Sequence, residues 1–439
     1  MERVKSVNHG YTVLMYQDRD AGEKVEDRDA ILLVQAGGLV MEGGLPSLTL
    51  RSLAQAAGVS PSLVTYRFGS REMLVRRMFE AARVRDGAFW QRMEERTGGL
   101  ALSPGGLAGL MAGLAMTAVT AGAREQVLRW ACASEAARVP ALQDISRDWS
   151  RHGLAFWRSI LARAGCDEAL APAMSACMLW VIRVGLTAPG EALLTHSWMM
   201  DLAHRLAARL FGEGVVSAAD SPARQQIEAL AQRGRTPAEG PRKPTPERII
   251  DAAAKLAGER GPGALTHRLI AKEAGVSLSS MTHHFASLGE IQHRAFAKLY
   301  EHARKASVPD LPANLSIDTF TREIMPAILR RAEAQGHSAI AMDEIILAAS
   351  RASHTEALGS GLMALVGQSS TVMLKAMAGD METDRLDGQL FRFVITGLNE
   401  QADLQPEDQR DTWFAENCAL LLRRYLKGRA SDDTQGRAG

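Results

Sequence analysis

Residues 47–70 read SLTLRSLAQAAGVSPSLVTYRFGS, and residues 264–287 read ALTHRLIAKEAGVSLSSMTHHFAS. Laid together without a gap, at a constant offset of 217 residues, they agree at twelve of 24 positions: Leu48/Leu265, Thr49/Thr266, Arg51/Arg268, Ala54/Ala271, Ala57/Ala274, Gly58/Gly275, Val59/Val276, Ser60/Ser277, Ser62/Ser279, Thr65/Thr282, Phe68/Phe285 and Ser70/Ser287. Such agreement is far beyond chance. Because the offset is close to half of the 439 residues, the economical reading is duplication of a whole protein, not of a small module. Beyond these stretches the similarity fades.

Each copy carries the local chemistry of helix, tight turn, helix. Thr49 and Thr266 stand where a hydroxyl can cap the exposed amides of a helix. Gly58 and Gly275 occupy the turn, where a positive φ is cheap only for glycine. Ser60 and Ser277 then cap the next helix, with Pro61 at a first position that needs no N–H. Ala54, Ala57, Val59, Val64 and Phe68, with Ala271, Ala274, Val276, Met281 and Phe285, supply the small and apolar contacts that fix the angle between the two helices. A helix-turn-helix of this order sets its second helix, amino end first, in the major groove of DNA.

Outward from the repeat, apolar residues recur at three- and four-residue spacing and strand signals are lacking, so the fold class is all-α. In the first half the spacing predicts helices near 27–43, 50–57, 61–67, 71–96, 105–120, 124–137, 140–164, 168–187 and 191–211. In the second it predicts them near 245–259, 267–274, 278–284, 288–306, 316–335, 338–351, 355–379, 383–402 and 407–427. Residues 213–246, rich in Pro, Gly, Ala and charge, suit a linker with a short helix over Ala223–Gln232. A linker of this length does not restrict how the halves dock.

Composition is that of an ordinary soluble chain: 46% hydrophobic and 23% charged residues, too apolar for a disordered protein. With 51 Lys and Arg against 50 Asp and Glu, no argument for nucleic acid, membrane or acidic substrate follows from global charge, so any basic surface is local. Residues 49–96 carry nine Arg against five acids, and 242–305 carry eleven Lys or Arg against six, one basic region per copy. About half of these cations suit plain solvated helix faces. Cys132, Cys166, Cys177 and Cys418 have neither paired nor metal-ligand spacing and read as reduced thiols. No apolar run approaches the ~18 residues that cross a bilayer, and residues 1–24 lack the features of a signal peptide, which points to a cytoplasmic protein without a membrane partner. No G-x-S-x-G, H-E-x-x-H, Walker or G-x-G-x-x-G motif is present, so no catalytic residue, metal site or cofactor is expected.

The first copy reads T-L-R-S-L-A-Q-A-A-G-V-S-P-S-L-V-T-Y-R-F-G-S-R-E and the second T-H-R-L-I-A-K-E-A-G-V-S-L-S-S-M-T-H-H-F-A-S-L-G-E. Both resemble the signature of the tetracycline-repressor-like (TetR) family of transcriptional regulators, over about 60 residues per copy. Two departures stand out. The family's third-helix tyrosine is Thr65 in one copy and Thr282 in the other, with Tyr66 one position later in the first. After the serine that follows, the first copy keeps the basic Arg71, whereas the second has Leu288 and Gly289.

The resemblance implies two TetR-like halves docked as an intramolecular pseudo-dimer, each a three-helix DNA-binding domain followed by a helical ligand-binding and dimerisation domain. The expected divisions are 1–24 N-terminal tail, 25–72 first DNA-binding domain, 73–212 first regulatory domain, 213–244 linker, 245–289 second DNA-binding domain, 290–428 second regulatory domain and 429–439 disordered tail. By resemblance, Thr49, Arg51, Ser60, Ser62, Thr65, Tyr66, Arg67 and Arg71 contact double-stranded operator DNA in one half-site. Thr266, Arg268, Ser277, Ser279, Thr282, His283 and His284 contact the other. Transferred by position, the pocket for a small effector lies among Met111, Met116, Trp130, Trp149, Phe156, Trp157, Met174, Cys177 and Trp180, in the half that holds six of the seven tryptophans. A hydrophobic or aromatic effector suits those residues, which also suit an ordinary helical core. Pairing of 168–211 with 383–427 would build the dimer interface inside one chain, with His196 and His204 as polar residues near that seam. The expected function is repression through two unlike half-sites, released by the effector. The alternative is a protein-interaction or one-site DNA-binding regulator whose second helix-turn-helix is vestigial. A further association into a dimer of pseudo-dimers is compatible with both.

Overall fold

The computed structural model describes residues 21–136, 138–188, 192–211, 225, 244–260, 265–307, 311–312, 314–334, 347, 363, 366–379 and 381–426. Among the described residues there is no strand. The N-terminal tail before Ala21, the tail after 426 and nearly all of the 213–244 linker, with its expected short helix, lie outside them, as does most of the helix expected at 338–351.

The first half opens with α1 (Ala21–Gly43), α2 (Leu50–Ala57), α3 (Pro61–Phe68) and α4 (Arg71–Thr97). Helices of eight residues do not persist alone in water, so α2 and α3 depend on burying Leu53 and Ala54 against Val64 and Phe68. The long α4 buries Leu74, Val75, Met78 and Phe79 early, and Phe89, Trp90 and Met93 late. It packs on α1 and also on α6 (Ala123–Ala136) and α7 (Gln143–Arg163). The division drawn at 72/73 therefore falls inside one continuous helix, and the division at 289/290 falls inside α13 (Leu288–Ser307) in the same way. The body is completed by α5 (Pro104–Val119), α8 (Ala171–Gly185) and α9 (Ala192–Phe211), with α5 laid along α9 and α8 buried on nearly every side.

In the second half, α10 (Pro244–Arg260), α11 (His267–Ala274) and α12 (Leu278–His284) precede α13. A composite helix follows, Ile317–Thr319, a π-helical turn Phe320–Ile324 and Met325–Ala334, together α14. Then come α15 (Gln368–Ala378), α16 (Arg385–Ala402) and α17 (Arg410–Tyr425). Each described helix of this body lies about 217 residues beyond one of the first: α14 matches α5, α15 matches α7, α16 matches α8 and α17 matches α9. The repeat thus runs through the bodies, where side-chain identity has faded.

The halves meet along a seam in which α8 packs on α16, flanked by α9 and α17. At Gly397 a Cβ would lie 2.7 Å from that of Ala176, so the two backbones approach to a distance only glycine permits. Close by, Trp180 stacks on Phe393 with ring centroids 6.5 Å apart. At one end, fully buried Asp387 accepts hydrogen bonds from Arg205 (2.6 Å), Arg209 (3.1 Å) and the Tyr425 hydroxyl (2.7 Å). At the other, Leu170 and Leu422 are buried where the 3-10 turn Glu168–Leu170 touches α17. His196 and His204, expected beside the seam as polar groups, have exposed side chains.

One expectation on chain apolarity is corrected. Residues 168–185 form a stretch long and apolar enough to cross a membrane by composition, but 78% of it is buried inside the protein. A helix covered on all sides in the seam needs this composition without any lipid contact.

Candidate nucleic-acid interface

Local capping sets the reading helices. Thr49 accepts from the Ser52 amide at 2.9 Å while the Ser52 hydroxyl accepts from the Thr49 amide, a reciprocal pair that starts α2. Gly58 ends it with φ at 64°. Ser60 then accepts from Leu63 N at 3.3 Å, and Pro61 opens α3. The second copy repeats each device: Thr266 accepts from Leu269 N at 3.2 Å, Gly275 turns at φ 62°, and Ser277 accepts from Ser280 N at 3.0 Å. Even the ring that anchors each reading helix is held alike, with Arg77 5.2 Å from the Phe68 ring and Arg294, its repeat equivalent, 5.4 Å from Phe285.

The faces presented outward differ. In α3, Ser60, Ser62, Thr65 and Tyr66 are exposed, and Tyr66 is 84% exposed; Thr49 and Arg51 are exposed at the start of α2. In α12, Ser277, Ser279, Thr282 and His283 are exposed and His284 is half-buried, its ring 5.2 Å from that of His283; Thr266 and Arg268 are exposed on α11. Thr65 and Thr282 turn their hydroxyls back to carbonyls of their own helices, Pro61 O and Leu278 O.

Two of the expected DNA contacts have partners inside the domain. Arg71 donates from Nε to Leu48 O (2.8 Å) and from Nη2 to Leu45 O (2.9 Å), tying α4 to the turn before α2. Arg67 lies 3.7 Å from Asp29 on α1, which also pairs with Arg77. Carbonyls and a carboxylate within reach hold these guanidinium groups before any phosphate arrives. In the second copy, where Leu288 and Gly289 replace Arg71 and its neighbour, Arg248 of α10 donates to Ala274 O at 2.6 Å and secures the turn from the other side. Other cations of the basic regions are likewise paired, Arg76 with Asp144 and Glu80, Arg85 with Glu125, Lys298 with Asp251. The basic excess of these regions is thus partly spent on holding helices together.

In the body, Met111, Trp130, Trp149, Phe156, Trp157, Met174, Cys177 and Trp180 are buried and Met116 is half-buried. Phe156 packs on Trp90 and Trp157 at centroid distances of 5.0 and 5.4 Å, so much of this set is core. Only Trp130 and Trp149 border a cavity of about 350 Å³ that lies between the two halves, against Thr396, Asn399 and Glu400 of α16. Its walls include two arginines that the apolar spacing did not single out, Arg129 and Arg183, each a charge inside an apolar helical run. Arg183 sits 5.0 Å from the rings of Trp130 and Trp180 and donates to Glu400 at 2.6 Å; Trp180 donates to the same carboxylate oxygen at 2.9 Å. Asp86 accepts from Trp149 (2.7 Å), Trp90 (3.2 Å) and Gln126 (2.6 Å), and burial pushes its carboxyl up against the pull of the nearby Arg129 charge. Among the described residues no group of three or more His, Cys, Asp or Glu could hold a metal ion.

Paired caps, a left-handed glycine turn and an outward-facing second helix define a DNA-binding helix-turn-helix protein. Comparison with protein families agrees. The model for bacterial regulatory proteins of the tetR family matches residues 32–78 and again 249–291, and that for the tetracyclin repressor-like C-terminal domain matches 102–213. The chain belongs to the TetR family, with a repeated N-terminal domain, and is a DNA-binding transcriptional regulator. No curated protein matches it.

Proposed function

We propose that the chain represses transcription as a single-chain pair, α3 and α12 each reading a major-groove segment of one duplex, with unlike half-sites. A small effector bound in the body favours an arrangement in which the two helices no longer fit successive grooves, about 34 Å apart. One observation carries this reading. Arg183 and Glu400 are equivalent positions of the repeat, and they bind each other. Equivalent positions meet on a twofold axis, where identical chains would set like against like; opposite charges there suit two halves that pair only with one another.

The half-sites differ because PSLVTYR and LSSMTHH present different side chains, and a fused pair is released from the palindrome that a homodimer requires. Thr49, Arg51, Ser60, Ser62, Thr65 and Tyr66 would serve one half-site, Thr266, Arg268, Ser277, Ser279, Thr282, His283 and His284 the other. Counting chains per duplex by light scattering, and measuring the salt slope of binding for Arg51→Ala and Arg268→Ala, tests the proposal. One chain per site, with a shallower slope in both variants, is expected. An unchanged slope in Arg268→Ala would reduce the protein to a one-site reader.

A further inference from the structure

The cavity between the halves shows an imbalance of donors over acceptors. Arg129, on α6, is 6% exposed and borders it, yet makes no hydrogen bond or ion pair among the described residues. Taking a guanidinium out of water without a partner is costly, so an unpaired one at a cavity marks a place where an anion belongs. The Asp86 charge is felt at Arg129, but its oxygens accept from Trp90, Trp149 and Gln126 and stand outside hydrogen-bond distance of the guanidinium. Of the other arginines on the cavity wall, Arg183 is answered by Glu400, Arg410 by Asp403 and Arg147 by the Leu404 carbonyl, which leaves Arg129 with no partner at hydrogen-bond distance among the described residues. In the same wall, the Trp130 indole N–H and Arg183 Nε are buried without acceptors among the described residues.

We propose that this cavity is the effector site and that its ligand is a small organic carboxylate with a flat apolar body, the carboxylate seated on Arg129. This rests on the reading of the chain as an effector-controlled regulator and gives that effector a chemistry. A guanidinium presents paired N–H groups that match the two oxygens of a carboxylate. A volume of about 350 Å³ is at the lower end of small-molecule sites and leaves a lone inorganic ion mostly without contacts. Trp130 and Trp149 supply flat apolar walls for the remainder. Because Thr396, Asn399 and Glu400 close the opposite wall, an occupant touches both halves and is sensitive to how they sit.

The test uses the full chain and a panel of benzoate, salicylate and indole-3-acetate, each beside its neutral amide, with inorganic phosphate as a bare anion. Calorimetry and quenching of tryptophan fluorescence report binding. The expected result is one site per chain for at least one acid, with its amide at least tenfold weaker and phosphate silent. Arg129→Gln should abolish that discrimination while the helical circular dichroism is kept. Should Arg129→Gln fail to fold, Thr396→Trp, which fills the cavity from the other half, should weaken the acid at least tenfold. Equal binding of acids and amides, acid binding untouched by either variant, or no binding by any acid at millimolar concentration overturns the proposal. Duplex binding is measured separately, on the DNA flanking the gene. A parent chain that binds duplex DNA but no acid refutes the cavity assignment alone, whereas acid binding by a parent chain that ignores duplex DNA refutes the regulator.

Discussion

Tyr66 leaves 84% of its surface in solvent, whereas Arg71 gives its guanidinium to two backbone carbonyls. Their variants should separate reading from holding. Tyr66→Ala is expected to change stability by no more than about 0.5 kcal/mol, as for surface sites elsewhere, while weakening duplex binding. Arg71→Ala leaves the carbonyls of Leu45 and Leu48 without that donor and should cost about 1–3 kcal/mol, measured by urea unfolding. If Arg71→Ala is neutral in stability and lowers only DNA affinity, the side chain leaves its carbonyls to bind phosphate. The cysteines divide in the same way. Burial pushes the thiols of Cys132, Cys177 and Cys418 up to about 12, while half-buried Cys166 is raised less. Native protein at neutral pH should therefore take up maleimide first at Cys166, with the other three reacting only on unfolding; labelling of a buried cysteine at a comparable rate would contradict the packing of α6, α8 or α17.

At the scale of elements, the end of the seam where α9 meets α16 and α17 turns on Asp387. Burial raises its carboxyl, but the Arg209 hydrogen bond, the Arg205 charge and the Tyr425 hydroxyl outweigh burial and hold it below the usual carboxylate range. A carboxylate lowered on folding stabilises fully above its unfolded pKa, about 3.9, and the contribution is lost as pH falls through the folded value. Asp387→Asn should accordingly cost about 3–5 kcal/mol at neutral pH, the penalty for stranding buried partners, and the gap to the parent should narrow below about pH 4. Unfolding curves at pH 7 and pH 3 check this, and a gap of constant size would mean that the network does not titrate. The long α4 and α13 matter at the same scale. Each runs unbroken from the DNA-binding helices into its body, so a shift in the body has a rigid route to the reading helix.

For the whole molecule, the repeat predicts symmetric contacts and the seam departs from them pair by pair. Under a twofold, the contact of Ala176 with Gly397 would be matched by one of Phe393 with Trp180; the first is a close backbone approach and the second a ring stack. The Arg205–Asp387 pair is likewise answered by Leu422 and Leu170. Such a seam suits one chain whose halves have diverged as complements. Arg183→Glu should set two carboxylates together and lower the unfolding midpoint, and adding Glu400→Arg should recover part of the loss, but not the ring contacts of Arg183 with Trp130 and Trp180. Absence of any recovery in the double variant would show that the two positions do not meet in solution.

What could be read without coordinates was whatever depends on neighbours along the chain. Caps, the glycine turn and the alternation of buried and exposed positions act within a few residues, which is why α2 (50–57), α11 (267–274) and α12 (278–284) fall where the spacing predicts them. The constant offset also located the second body, and it continues to Arg77 and Arg294, a match the first alignment did not reach. Which cations face outward was decided by distant carbonyls and carboxylates: Leu45 O and Leu48 O for Arg71, Asp29 for Arg67. The cavity is also tertiary, since its walls come from helices more than two hundred residues apart. A lone charge such as Arg129 in an apolar run signals a buried demand, but only the fold shows that no hydrogen bond or ion pair among the described residues meets it.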